Sequence, residues 1–181
     1  MNYPEIKRRA SRAVDVRGVI IGGGSPVSVQ SMTNTPTADA EATIDQVRRL
    51  AAAGAQLVRV AVPTRADTAA LGQIVAASPA PIVADVHFHF DRALEAIDAG
   101  VAKIRLNPGN IRDREQVARV IARAADAGVA VRVGVNEGSI VDRTDAARRD
   151  ADLQRPLHEL MVEKLASYLE AFEQAGFDNL V

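Results

Sequence analysis

The dipeptide Ala-Gly recurs at Ala53-Gly54, Ala99-Gly100, Ala127-Gly128 and Ala175-Gly176. Each copy closes a stretch with helical spacing and precedes an apolar run. Glycine enters the left-handed conformation that ends a helix without steric cost. The chain is therefore punctuated as helix, stop, strand. The runs after the stops cover 57–60, 101–106, 129–135 and 179–181, and two more strands fit at 27–31 and 82–86. Helices are predicted over 39–53, 66–76, 91–99, 113–127 and 157–175. In the last of these, Leu157, Leu160, Met161, Leu165, Tyr168, Leu169 and Phe172 fall on one stripe. The strands are almost wholly apolar, as expected for parallel strands covered on both faces. Repeating strand–helix units of this kind form right-handed βαβ crossovers.

Residues 13–16 and 19–21, joined through Arg17-Gly18, read as a small hairpin suited to plugging the bottom of a barrel. The run Gly22-Gly23-Gly24 lacks nucleotide-loop spacing and no helix follows it directly, so it reads as a turn. The 181 residues hold five strand–helix units and the opening of a sixth strand. A complete (β/α)8 barrel takes about 250 residues. The pattern predicts an α/β chain that forms the first part of a TIM (β/α)8 barrel, with an open doubly wound sheet as the alternative. Residues 1–26 form the N-terminal segment and hairpin, and residues 27–181 the partial barrel. An open strand edge invites pairing with a second copy, hence a homo-oligomer.

Composition narrows the function. The formal net charge is -1, without the basic excess expected of a nucleic-acid binder. No run approaches eighteen apolar residues, so no membrane span is expected. The basic N-terminus has no apolar run after it, and a cytoplasmic protein is the expectation. There is no cysteine, which excludes disulfides and any thiolate-held metal or iron–sulfur centre within this chain. Only three of the 22 basic residues are lysine.

In a barrel, the carboxyl ends of the strands and the loops after them build the active face. Gln30, Ser31, Met32, Thr33 and Asn34 follow the first strand. Arg59 lies on the second, and Asp85, His87 and His89 end the third. Lys103 and Arg105 share one face of the fourth, ahead of the turn Asn107-Pro108-Gly109-Asn110. Arg132 lies on the fifth, ahead of Asn136, Glu137, Gly138 and Ser139. Three arginines and a lysine against Asp85 point to an anionic ligand, and phosphate matches the guanidinium fork. An internal Arg–Asp–Asn network is the other reading. Asp85 and His87, two residues apart, could form an acid/base pair, half of a metal site, or a purely orienting hydrogen bond. His158 reads as a surface residue, and 143–155 as a solvated charged loop.

Five strings carry a closer likeness, in this order: Val29-Gln-Ser-Met-Thr-Asn-Thr35, Leu57-Val-Arg-Val-Ala-Val-Pro63, Ala84-Asp-Val-His-Phe88, Ile104-Arg-Leu-Asn-Pro-Gly-Asn-Ile111 and Arg132-Val-Gly-Val-Asn-Glu-Gly-Ser139. Together they resemble the N-terminal barrel of the 4-hydroxy-3-methylbut-2-en-1-yl diphosphate synthase family, from about residue 8 to residue 181. The resemblance implies an oxidoreductase of the non-mevalonate isoprenoid pathway. Such an enzyme reductively opens 2-C-methyl-D-erythritol 2,4-cyclodiphosphate to 4-hydroxy-3-methylbut-2-enyl diphosphate. It implies a 4Fe–4S cluster on a separate C-terminal domain, absent from this chain, with flavodoxin or ferredoxin as electron donor. It implies that Arg59, Arg105, Asn107, Arg132 and Asn136 bind the cyclic diphosphate, while Asp85 and His87 line the pocket as catalytic residues assisting proton delivery. With no cluster ligands, the chain alone is expected to lack the full reaction. A dihydropteroate synthase-like phosphate-binding barrel and a non-catalytic, self-associating fragment are the other readings.

Overall fold

The computed structural model describes residues 9–108, 110–111, 113–136, 138 and 146–181. An antiparallel hairpin, β1 (Ala13–Val16) and β2 (Val19–Gly22), precedes a separate sheet. That sheet contains β3 (Gln30–Met32), β4 (Leu57–Ala61), β5 (Ile82–Asp85), β6 (Lys103–Leu106) and β7 (Ala130–Val133). Helices α1 (Ala40–Ala52), α2 (Arg65–Ala77), α3 (Phe90–Asp98) and α4 (Arg114–Ala127) alternate with the strands. Helices α5 (Ala146–Leu153) and α6 (Leu157–Gln174) follow β7.

All four pairings in the sheet are parallel, and the strands stand in sequence order. A doubly wound sheet reverses its strand order at a switch point. This sheet never reverses, which is the winding of a barrel. The winding continues past β7. Val131 and Leu180 form a parallel bridge, and the Val181 N–H donates to the Val131 carbonyl at 2.8 Å. Residues 179–181 thus open the sixth barrel strand on the far side of β7.

The four glycines of the Ala-Gly repeat all have positive φ, as their position requires. Gly128, at +63°, returns its N–H to α4 and directs the chain into β7. The helix starts are equally explicit. The Asp39 carboxylate accepts from the Ala42 N–H, Thr64 and Asp67 form a reciprocal capping box, and Asp113 accepts from two N–H groups of α4.

Alternation along each strand divides the side chains between two environments. Val58, Val60, Ile82, Ala84, Ile104, Leu106 and Val131 face the helices and join the main core. Leu57, Val83 and Ala130 face the barrel interior near the amino ends of their strands. There they bury against Val14 and Val16 of the hairpin, which closes the bottom as the sequence suggests.

Some boundaries move. The strand predicted at 27–31 narrows to Gln30–Met32, and Val27 and Val29 are exposed. The charged stretch read as a loop over 143–155 contains α5, although residues 143–145 lie outside the described residues. Its Ala-rich composition favours helix, but it lacks the apolar stripe on which periodicity relies.

Candidate functional site

Asp85, Arg105 and Arg132 stand at one interior level near the carboxyl ends of their strands, and Arg59 stands one interior position earlier on β4, level with Val83. Strand register aligns Ala61 with Asp85, Asp85 with Arg105, and Arg105 with Arg132. Asp85 is the hub and is only 2% exposed. Its Oδ2 accepts from Arg59 Nη2. Its Oδ1 accepts from Arg105 Nη1 at 3.3 Å. His87 Nε2 lies 3.2 Å from Oδ2.

Burial alone would raise the Asp85 pKa. The hydrogen bond and charge of Arg59, then the His87 hydrogen bond and the Arg105 charge, outweigh it and hold the carboxyl below its ordinary value. Asp85 is therefore an ionised anchor for two guanidinium groups. His87 is the partly exposed member of the pair, at 32% of its side chain. It can present its ring to a ligand while Asp85 fixes the ring's orientation.

Arg105 is held at both ends, because Nη2 also donates to the Gly134 carbonyl at 2.8 Å. A Cβ at Gly134 would stand 3.1 Å from Arg105 Nε. Glycine there lets the guanidinium lie against the backbone, a constraint invisible in spacing alone. The close approach becomes legible only when Arg105 and the residue two positions after Arg132 are placed side by side. Arg132 is exposed and forms no ion pair with a carboxylate among the described residues.

Asn107 is buried directly after β6, where its carbonyl accepts from the Asn110 and Ile111 N–H groups. Asn136 is exposed in the segment after β7. Gly109, Glu137 and Ser139 of the predicted strand-end set lie outside the described residues. His89 is exposed at the start of α3 and does not join the hub, and His158 is exposed on the first turn of α6.

The mouth thus gathers guanidinium groups around one carboxylate and one imidazole, with a buried amide beside them. It can bind an anion through charge-assisted hydrogen bonds and offer it an ionisable ring. No group of three or more His, Cys, Asp or Glu able to hold a metal ion occurs among the described residues. Without a cysteine, the chain has no thiolate for an iron–sulfur cluster, so its own residues do not fit that group. No helix among the described residues is long and apolar enough to cross a membrane.

Residues 11–181 match the GcpE TIM-barrel domain. A 4-hydroxy-3-methylbut-2-en-1-yl diphosphate synthase (flavodoxin) of Zymomonas mobilis is 55% identical over 138 residues, 76% of this chain and 37% of the relative. The enzyme of that name from Salinispora tropica is 47% identical over 178 residues, 98% of this chain and 44% of the relative. That from Hyphomonas neptunium is 45% identical over 97% of this chain and 45% of its own length. The chain therefore spans less than half the length of these relatives. Among solved structures, the 7,8-dihydropteroate synthase of Vibrio fischeri superposes with a TM-score of 0.62 at 15% identity, over 94% of this chain and 65% of the other. The Yersinia pestis dihydropteroate synthase gives 0.58 at 14% identity, over 93% and 60%. At that identity the likeness is one of fold.

Proposed function

Because the chain belongs to the GcpE TIM-barrel family, we propose that it supplies the diphosphate-binding wall of a 4-hydroxy-3-methylbut-2-enyl diphosphate synthase. The substrate is 2-C-methyl-D-erythritol 2,4-cyclodiphosphate, opened reductively in the non-mevalonate pathway. The observation that carries this reading is the Asp85 hub, in which one buried carboxylate aims Arg59 and Arg105 into the mouth beside Arg132.

In this reading Arg59, Arg105 and Arg132 grip the diphosphate, and Asn107 and Asn136 complete its coordination. Asp85 keeps the arginines forked and holds the His87 ring, and His87 handles a proton at the bound ligand. When bound in the whole enzyme, a 4Fe–4S cluster supplies electrons delivered by flavodoxin or ferredoxin. This chain has no cysteine to hold that cluster, so its contribution is binding, orientation and the proton at His87. A cytoplasmic site of action and a homo-oligomeric assembly belong to the same reading. The exposed apolar residues Val27, Val29 and Met32 on and before the edge strand β3 support the assembly.

Titration calorimetry of the purified chain with the cyclodiphosphate tests the proposal. Binding is expected, with a loss of about tenfold or more in Arg59→Met, the scale of one charge-assisted contact. An electron donor added to the chain alone should yield no product. Absence of binding by the unmodified chain would overturn the assignment.

A further inference from the structure

The interior of the sheet has two levels. The upper one in register is Ala61, Asp85, Arg105 and Arg132. The lower one in register is Arg59, Val83, Lys103 and Ala130, with Leu57 one interior position further down β4. Val83 and Ala130, with Leu57 below them, bury against the hairpin. Lys103 shares that level with Arg59, whose guanidinium reaches up to Asp85, and Lys103 is 2% exposed.

No hydrogen bond or ion pair of its ammonium is seen among the described residues, and the ammonium is not one of the fully enclosed atoms left without a partner. The charged groups that act on it are Arg132 on the adjacent β7 and Arg59 on β4, one strand beyond β5. Asp85 on β5 is engaged by Arg59, Arg105 and His87. A second donor is also left over, since the buried Nε of Arg59 has no partner among the described residues. Burial first, then the charges of Arg132 and Arg59, lower the Lys103 pKa to about 8. A buried cation beside two others, with no carboxylate of its own, is destabilising unless an anion meets it.

We propose that Lys103 is the innermost contact of the anion site and selects a diphosphate over a monophosphate. The proposal rests on the reading that the barrel mouth binds a diphosphate. With Asp85 as counter-charge, the three arginines leave a surplus of two positive charges, and Lys103 raises it to three. An orthophosphate carries about two negative charges near neutral pH. A diphosphate carries more and is longer, so it can fill the arginine forks and still extend inward to the ammonium. Val83 and Ala130, which flank the lysine in register, offer no competing acceptor side chain.

The test compares inorganic pyrophosphate with orthophosphate by titration calorimetry, on the unmodified chain and on Lys103→Met. The variant should bind pyrophosphate about tenfold more weakly, the scale of one charge-assisted hydrogen bond, while orthophosphate binding changes little. Its melting midpoint should rise by about 2–4 °C, because an unpaired buried charge has been replaced by an apolar side chain. A second measurement needs no variant of Lys103. The chain has three lysines, so carbon-13 labelling at lysine Cε gives three signals to follow. Pyrophosphate should shift one that persists in Lys7→Arg and Lys164→Arg.

If pyrophosphate binds but no such signal moves, or Lys103→Met keeps the preference for pyrophosphate, the assignment of Lys103 is overturned and the reading of the mouth stands. If the unmodified chain binds neither pyrophosphate nor the cyclodiphosphate, the reading of the mouth falls and Lys103 falls with it.

Discussion

The two ends of the barrel interior use the same strands for opposite purposes. At the amino ends, Leu57, Val83 and Ala130 meet Val14 and Val16 in a dry contact that seals the bottom. Two residues later, on the same faces of the same strands, stand Arg59, Asp85 and Arg132. The lower level is held by non-directional burial of apolar surface. The upper level is held by paired charges, in which each partner is costly without the other. The apolar positions of the lower level therefore tolerate reshaping at the expense of stability alone. Under the proposed function, the upper level ties stability to ligand binding through one carboxylate.

The largest effect should come from cutting that carboxylate away. Asp85→Ala leaves Arg59 and Arg105 without a buried counter-charge and should cost about 3–5 kcal/mol in denaturant unfolding. It should also abolish diphosphate binding, because neither guanidinium keeps its aim. Unchanged stability would show that the upper level is solvated and the contrast with the bottom is false.

Leu57→Ala attacks the other end. Leu57 is 1% exposed, and truncating it should cost about 2–5 kcal/mol through lost burial and a residual cavity. Diphosphate affinity of the folded variant should stay within about twofold, a difference small on the free-energy scale of binding. A larger loss would mean that the seal also positions the mouth.

The smallest and most specific effect is in acid. The Asp85 pKa is lower in the folded chain than its ordinary value of 3.8. The stabilisation it supplies is complete above 3.8 and is lost as the pH falls through the lower, folded-state value. Melting midpoints measured downward from neutral pH should therefore drop more steeply below 3.8 in the unmodified chain than in Asp85→Asn. Parallel curves would mean that the carboxylate gains nothing from its arginines.

Much of this arrangement is legible in the residues. The positive-φ glycines at 54, 100, 128 and 176 place the helix ends, because few other residues accept that backbone. The unbroken apolar runs mark parallel strands covered on both sides, and Arg59, Asp85, Arg105 and Arg132 stand out against them. Other features are not legible. Helix α5 has no apolar stripe, so periodicity misses it. Gly134 looks like any strand-end glycine until Arg105, on the neighbouring strand, lies along its backbone. His87 and His89 have the same strand parity, yet only His87 reaches Asp85, because the chain has already turned toward α3 at His89.

By itself the sequence determined the order of elements, the parallel sheet and the kind of charge gathered at the strand ends. All three follow from local backbone preference and from alternation along a strand. Only the tertiary structure decided which charges are partnered. Asp85 serves Arg59 and Arg105 because register sets β4, β5 and β6 side by side, and its two oxygens are occupied before Arg132 or Lys103 can share them. Pairing of charges depends on distances across strands separated in sequence by a whole helix, and that information exists only once the strands have paired in register.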